Sequence, residues 1–218
     1  MSSKTVVILD YQLGNLFSVK QACESVGLNS FISSSKEDIL KADGIILPGV
    51  GAFGEAMSNM NRLDLVFPLI DYVSSGKPLF GICLGQQLLF TESEEFGNSK
   101  GLGIIEGTIK RFPSHKALNN KIKVPQIGWN HIYKSALNWE SSPLSRVKEQ
   151  SYVYFVHSYF VQPSHSENIL ALTNYEGCEY CSSVVGKPNI FATQFHPEKS
   201  GELGVGIYRN WAESFSLI

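Results

Sequence analysis

No stretch of this 218-residue sequence approaches the roughly 20 consecutive apolar residues that a membrane-spanning helix needs, so no membrane association is expected. Charge is sparse and almost balanced: 18 Lys and Arg stand against 20 Asp and Glu, a formal net charge of -2. That balance argues against a nucleic-acid partner, because such proteins neutralise phosphates with a basic excess. Cysteine is limited to Cys23, Cys83, Cys178 and Cys181. A disulfide framework is therefore not expected, and a reducing cytoplasm is the expected location. The chain also lacks an internal repeat, a linker or a low-complexity tract, which predicts one domain spanning residues 1–218. The opening "MSSKTVVILD" carries one lysine before a short apolar run that ends in an acid. It reads as a first β-strand rather than a signal peptide.

What is present describes an ordinary globular chain, with 43% hydrophobic and 17% charged residues. Over the first ninety residues, strand-like and helix-like segments alternate. "KTVVILD", "SFISS", "GIILPGVGAF" (breaking at Pro48) and "KPLFGIC" read as strands. "LFSVKQACESVG", closed by Gly27, a start at "SSKEDILKA", "LDLVFPLIDYVSSG" and "LGQQLLFTES" read as helices. Strands that are apolar throughout and separated by helices imply a parallel sheet covered on both faces. From Gly101 the sequence is β-rich ("LGIIEGTIKRF", "KIKVPQIGWNHIY", "SYVYFVHSYFV", "NILALTNY", "CSSVVG", "NIFATQFH") until a last helix, "LGVGIYRNWAESF". The expected architecture is α/β, with a mainly parallel central sheet and antiparallel additions in the second half.

Residues 81 to 85 read Gly-Ile-Cys-Leu-Gly, the pattern of a nucleophile elbow with cysteine in place of serine. A sharp strand-to-helix turn needs glycine on either side, where a Cβ would meet neighbouring strands and the helix. Such a turn holds the sulfur beyond the sheet edge, near helix N–H groups that favour a thiolate. It also aims the Leu84 N–H at an oxyanion formed there. The opposing reading is a small buried thiol, because free cysteine is among the most buried residue types.

A thiol nucleophile wants a base, and the base wants a group that holds its ring. Of the five histidines, His115 and His165 lie in polar, turn-like stretches, and His157 falls where strand alternation would bury it. His196 ends "NIFATQF" and precedes Pro197, which cannot continue a central ladder. In an extended segment His196 and Glu198 would point to the same side, letting the carboxylate hold one ring nitrogen. A capping histidine beside a solvated glutamate is the alternative. A third strand end, "LPGVGAFGEA", has no following Lys-Ser/Thr pair, so a phosphate cradle fits poorly. A second oxyanion donor from Val50 or Gly51 fits better.

Cys178-Glu179-Tyr180-Cys181 has CxxC spacing. A structural zinc site needs four ligands and no second pair exists, while a thioredoxin-like pair sits where a strand feeds a helix. Both cysteines are read as structural, and neither a metal nor a cofactor is expected.

Gly81-Ile82-Cys83-Leu84-Gly85-Gln86-Gln87 and Gln194-Phe195-His196-Pro197-Glu198 together resemble the class I (triad) glutamine amidotransferases. Adding "DYQLGNL", "LPGVGAF", "VPQIGWN", "YFVHSY" and "QFHPEKSG", the chain is similar, from about Val6 to the final helix, to the glutaminase subunits of imidazole glycerol phosphate synthases. The resemblance implies a three-layer, flavodoxin-like fold. It also implies a Cys83–His196–Glu198 triad that hydrolyses L-glutamine through a cysteinyl thioester. Leu84 and the Val50–Gly51 turn would form the oxyanion hole, and Gln87, Glu95, Ser158 and Tyr159 would hold the glutamine head group. Trp129, Tyr154 and Lys199 match positions at the partner interface and ammonia gate. The implied partner is a (β/α)8 cyclase subunit, in a heterodimer that makes imidazole glycerol phosphate and AICAR in histidine biosynthesis. No segment looks able to bind a phosphorylated acceptor, so ammonia needs a recipient elsewhere. Tyr11-Gln12-Leu13 departs from the glycine-containing first loop of many members. Three rivals stand beside this reading: a paralogous glutaminase serving another synthetase, a cysteine hydrolase of the same superfamily, and a non-catalytic module with Cys83 merely buried.

Overall fold

The computed structural model describes residues 4–113, 122–186 and 188–218. Along these the elements run β1 (Val6–Leu9), α1 (Leu16–Ser25), β2 (Ser30–Ser33), α2 (Lys36–Lys41), β3 (Gly44–Gly49), α3 (Phe53–Arg62), α4 (Val66–Ser74), β4 (Leu79–Cys83) and α5 (Leu84–Leu88). They continue with β5 (Phe90–Ser93), β6 (Ser99–Lys100), β7 (Ile105–Arg111), β8 (Gln126–Lys134), β9 (Ser151–His157), β10 (Tyr159–Pro163), β11 (Ile169–Tyr175), β12 (Cys178–Gly186), β13 (Ile190–Thr193) and α6 (Gly201–Ser214).

Four strands pair in parallel in the order β2-β1-β3-β4, and β13 joins β4, also in parallel. This is the 2-1-3-4-5 order of flavodoxin-like sheets, with β13 in the fifth place. Beyond β13 the sheet turns antiparallel through β12 and β10 to β7, while β11, β8 and β9 branch from β12. All residues of β1, β3, β4 and β13 are buried, because helices cover both faces. Val6, Ile8, Ile46 and Phe80 pack on one side with Val19 and Cys23 of α1 and Ile207, Tyr208 and Trp211 of α6. Val7, Leu9, Ile45 and Leu47 pack on the other with Ile39, Phe53, Met60, Leu69 and Leu88 from α2 to α5. Each such side chain contributes on the order of 1.5–3 kcal/mol by leaving water, which makes this double core the main source of stability.

Four local expectations are corrected. First, β3 does not break at Pro48 but continues to Gly49, with Pro48 beside Ile82 and Gly49 beside Cys83. The ladder to β1 ends at Ile46, so no partner strand needs the proline's missing N–H. Second, α3 occupies a stretch read as a glycine turn, without a side-chain cap from its own N-cap residue, Ala52. Third, "LGQQLLFTES" is helical only to Leu88, and Phe90–Ser93 is instead a strand beside β7. Fourth, "SYVYFVHSYFV" is two strands separated by Ser158. The two CxxC cysteines lie in β12 and pack into different cores, Cys178 against the α1/α6 side and Cys181 against the opposite side. Residues i and i+3 of a strand face opposite ways, which separates them physically. All four cysteines are free. His115 lies outside the described residues.

Candidate active site

Three strands of the parallel sheet deliver their carboxyl ends to one place. β4 delivers Cys83, β3 the Gly49–Gly51 turn beside it, and β13 the run Gln194–Phe195–His196. In open α/β sheets ligands gather at this edge.

Cys83 is held at φ +54°, ψ -109°, a backbone region costly for any residue with a Cβ. The glycines around it leave no room for side chains. A Cβ on Gly85 would overlap the Leu47 carbonyl oxygen, and one on Gly81 would stand 3.0 Å from the Ala192 Cβ. The elbow is therefore strained by its surroundings, at a cost of about 1–3 kcal/mol that the packed sheet offsets. Gln194, fully buried, donates from Nε2 to the Cys83 sulfur at 3.6 Å, and the Val156 carbonyl lies 3.9 Å from that sulfur.

His196 Nδ1 donates to Glu198 Oε1 at 2.7 Å, and both side chains are almost wholly buried. The i, i+2 pairing expected of an extended segment is real but has another origin. β13 ends at Thr193, and Pro197–Lys199 form a 3₁₀ turn that brings Glu198 back under the ring. Ser200 Oγ donates to the His196 carbonyl at 2.7 Å, and the His196 N–H donates to the Tyr154 carbonyl at 2.9 Å, tying the turn to β9. Nε2 is buried with no hydrogen-bond partner among the described residues. Burial disfavours the charged ring, yet the neighbouring Cys83 sulfur and Glu198 carboxylate outweigh it and raise the His196 pKa. Glu198 Oε2 is likewise buried, and the enclosed Tyr208 hydroxyl of α6 is held protonated by burial and then by the Glu198 charge.

A cavity of about 300 Å3 opens over the sulfur, lined by Val50, Gly51, Cys83, Leu84, Gln87, Glu95, Pro125, Val156, His157, Ser158 and Tyr159. Every candidate for the oxyanion hole and the glutamine head group is in that lining. A groove of about 770 Å3 near Arg146 and Arg209 is larger but has no cysteine or histidine among its lining residues.

Gln87 Nε2 donates to the Tyr159 carbonyl at 2.9 Å and to Gln194 Oε1 at 3.0 Å. Its amide donors are thus engaged, leaving Oε1 as the atom that can accept from a cation. Glu95 Oε2 accepts from the Phe53 N–H at 2.6 Å, supplying the cap that α3 lacks locally. His157, expected from strand alternation to be buried, is buried and satisfied. It contacts the Tyr159 carbonyl through Nδ1 at 2.8 Å and the Tyr180 hydroxyl through Nε2 at 3.2 Å. Burial, with the Tyr159 hydrogen bond opposing, lowers its pKa to about 4. A neutral, fully engaged ring of this kind positions the Ser158–Tyr159 backbone.

Trp129, Tyr154 and Lys199 come together beside this cavity. The Trp129 and Tyr154 rings meet edge to face at 6.1 Å, and Lys199 Nζ lies 5.9 Å from the Tyr154 ring centroid. Ile127, Trp129 and Tyr152 are each more than half exposed on the paired strands β8 and β9, whose Val156 lines the cavity. The main omission from sequence reasoning is Gln194, and strand alternation carried a signal for it, since it stands two residues before His196. Tyr11, which reaches this edge from the end of β1, had no such signal.

Residues 7–212 match the family model for glutamine amidotransferase class-I. The chain is 48% identical over 212 residues to the imidazole glycerol phosphate synthase subunit HisH of Methanosarcina mazei, covering 96% of this chain and 98% of that protein. It is 45% identical over 204 residues to the subunit of the same name from Geobacillus kaustophilus, covering 94% of each. Among solved structures, a PurLQS structure from Thermotoga maritima aligns with a TM-score of 0.71 at 18% identity, covering 98% of both chains. The glutaminase domain of Trypanosoma brucei CTPS with bound acivicin aligns at 0.65 with 17% identity, covering 98% of this chain and 94% of that one.

Proposed function

We propose, from the premise that this chain belongs to the class-I glutamine amidotransferases, that it is the glutaminase subunit of an imidazole glycerol phosphate synthase. In this role it hydrolyses L-glutamine and hands the ammonia to a (β/α)8 cyclase subunit in histidine biosynthesis. The observation that carries the chemistry is Cys83, strained at a strand end beside a histidine whose other nitrogen is held by Glu198.

The His196 imidazole takes the Cys83 proton, and the sulfur attacks the side-chain carbonyl carbon of glutamine. Negative charge on the former carbonyl oxygen faces the Leu84 N–H and a donor of the Val50–Gly51 turn. The intermediate collapses as the C–N bond breaks and His196 returns the proton to the departing ammonia. A γ-glutamyl thioester remains. Water, deprotonated by His196, attacks it, releasing glutamate and restoring the thiol. Glu198 keeps the imidazolium oriented throughout. Gln87 Oε1 and the Glu95 carboxylate accept from the substrate's α-ammonium, and the Ser158–Tyr159 backbone borders its head group.

Free ammonia is mostly protonated in neutral water, so release at a surface would waste the nucleophile. The exposed Ile127–Trp129–Tyr152 face, continuous with the cavity through Val156, supports a docked partner that receives it. A single domain over residues 1–218 and a cytoplasmic setting fit this reading. The test is glutamine turnover by the chain alone and with a candidate cyclase, scored as ammonia incorporated into product. Turnover should rise greatly with the cyclase and its nucleotide ligand. Equal steady-state turnover in both cases would overturn the partner assignment.

A further inference from the structure

We propose that the Tyr11 hydroxyl and the Glu95 carboxylate hold the Gly49–Gly51 turn from its two ends, and that Tyr11 is a positioning residue for the oxyanion donor of that turn. This rests on the glutaminase reading above.

The turn has little support of its own. Among the described residues neither the Val50 nor the Gly51 N–H has a hydrogen-bond partner, and Gly51 sits at φ +104°. Its two ends, by contrast, are fastened by side chains distant in sequence. On the near side the fully buried Tyr11 donates its hydroxyl to the Pro48 carbonyl at 2.7 Å. The peptide unit is planar, so fixing that carbonyl also fixes the Gly49 N–H. On the far side Glu95 Oε2 holds the Phe53 N–H. The peptide groups that could serve an oxyanion lie between these two pins.

Gly49 is shaped to Tyr11. A Cβ at Gly49 would overlap the Tyr11 hydroxyl oxygen and stand 3.1 Å from both the Tyr11 Cζ and the Leu84 Cβ. The Tyr11 ring is itself aimed by an anchored loop. The Gln12 N–H donates to Asp10 Oδ1 at 2.8 Å, Gln12 has φ +69°, and Arg62 bonds the Gln12 side chain. Burial, with a lesser contribution from Cys83, keeps the Tyr11 hydroxyl protonated, so it remains a donor. The two pins differ in what they sense. Tyr11 is sealed from the cavity lining, whereas Glu95 lies in it and retains Oε1 for a cationic group. A substrate ammonium on Glu95 would therefore act on the same turn that Tyr11 sets in place.

Tyr11→Phe removes one oxygen and keeps the ring. An oxyanion donor acts in the transition state and not in ground-state binding, so loosening it lowers kcat with little change in KM. The experiment compares wild type and Tyr11→Phe in the full chain, alone and with the cyclase. It measures kcat and KM for glutamine, the rate of Cys83 alkylation by iodoacetamide, and the thermal midpoint. Alkylation uses the sulfur but develops no oxyanion. The expected result is a kcat lowered roughly tenfold, KM within about twofold, and an unchanged alkylation rate. An unchanged kcat overturns the inference. So does an alkylation rate that falls in step with kcat, because Tyr11 would then act on the sulfur or on the fold at large. A wild-type complex that does not hydrolyse glutamine overturns the glutaminase reading, and this inference falls with it.

Discussion

Glu198 Oε1 stands 2.7 Å from His196 Nδ1, with only 2% and 3% of the respective side chains exposed. A 3₁₀ turn, not an extended strand, makes the pairing. Removing the carboxylate charge while keeping the shape, in Glu198→Gln, should lower kcat for glutamine by roughly 10²- to 10⁴-fold. It should also lower the His196 pKa, because the carboxylate is one of the groups raising it. Steady-state kinetics and an NMR titration of the ring check both effects. A variant with wild-type turnover would remove Glu198 from the triad.

The backbone at Cys83 makes a prediction about stability as well as activity. Cys83→Ala and Cys83→Gly should both lose glutamine hydrolysis while keeping the fold. Alanine retains the Cβ that disfavours φ +54°, and glycine does not. The glycine variant should therefore be the more stable of the two, by roughly 1 kcal/mol. Urea unfolding of the pair decides it, and an alanine variant equal to or above the glycine variant would contradict the strain.

His157 predicts an acid-side loss of stability. The unfolded ring titrates near ~6.5, whereas the buried one has been lowered to about 4. Between these values the unfolded chain binds a proton that the native chain refuses. The contribution is thus complete above ~6.5 and declines as pH falls toward 4. Between pH 7 and 5 the wild type should lose on the order of 2 kcal/mol that a His157→Gln variant does not lose. His196 carries the opposite sign: its raised pKa adds stability at low pH that fades as pH rises through the folded value. Urea unfolding of both proteins at the two pH values measures the difference, and parallel losses would refute the assignment to His157.

Trp129 is 56% exposed and stacks edge to face on Tyr154. An exposed aromatic of this kind is a strong candidate for an interface anchor. Trp129→Ala should weaken association with the cyclase at least tenfold, with a thermal midpoint within a few degrees of wild type. Calorimetric titration of the two subunits supplies the number. Unchanged affinity would move the docking surface away from the β8–β9 face.

Much of this molecule is determined locally. Apolar runs at Val6–Leu9 and Leu79–Cys83, separated by helix-like segments, read as strands buried on both faces, which implies a sheet covered by helices. Gly81 and Gly85 around one cysteine announce the elbow, because only glycine fits there. The helix α3 was illegible for a specific reason: its cap, Glu95, lies 42 residues away and becomes a cap only when the chain is folded. Likewise Phe90–Ser93 is a strand because β7 lies beside it, not because of its own residues. The sequence by itself determined the residue types proposed to do chemistry and the strand ends that carry them. Only the tertiary structure decided that Gln194 would meet the Cys83 sulfur and that Tyr11 would hold the Pro48 carbonyl. Hydrogen bonds between residues 37 or 111 positions apart are set by the packing of distant elements; strand alternation puts Gln194 on the side of His196 but does not name its partner.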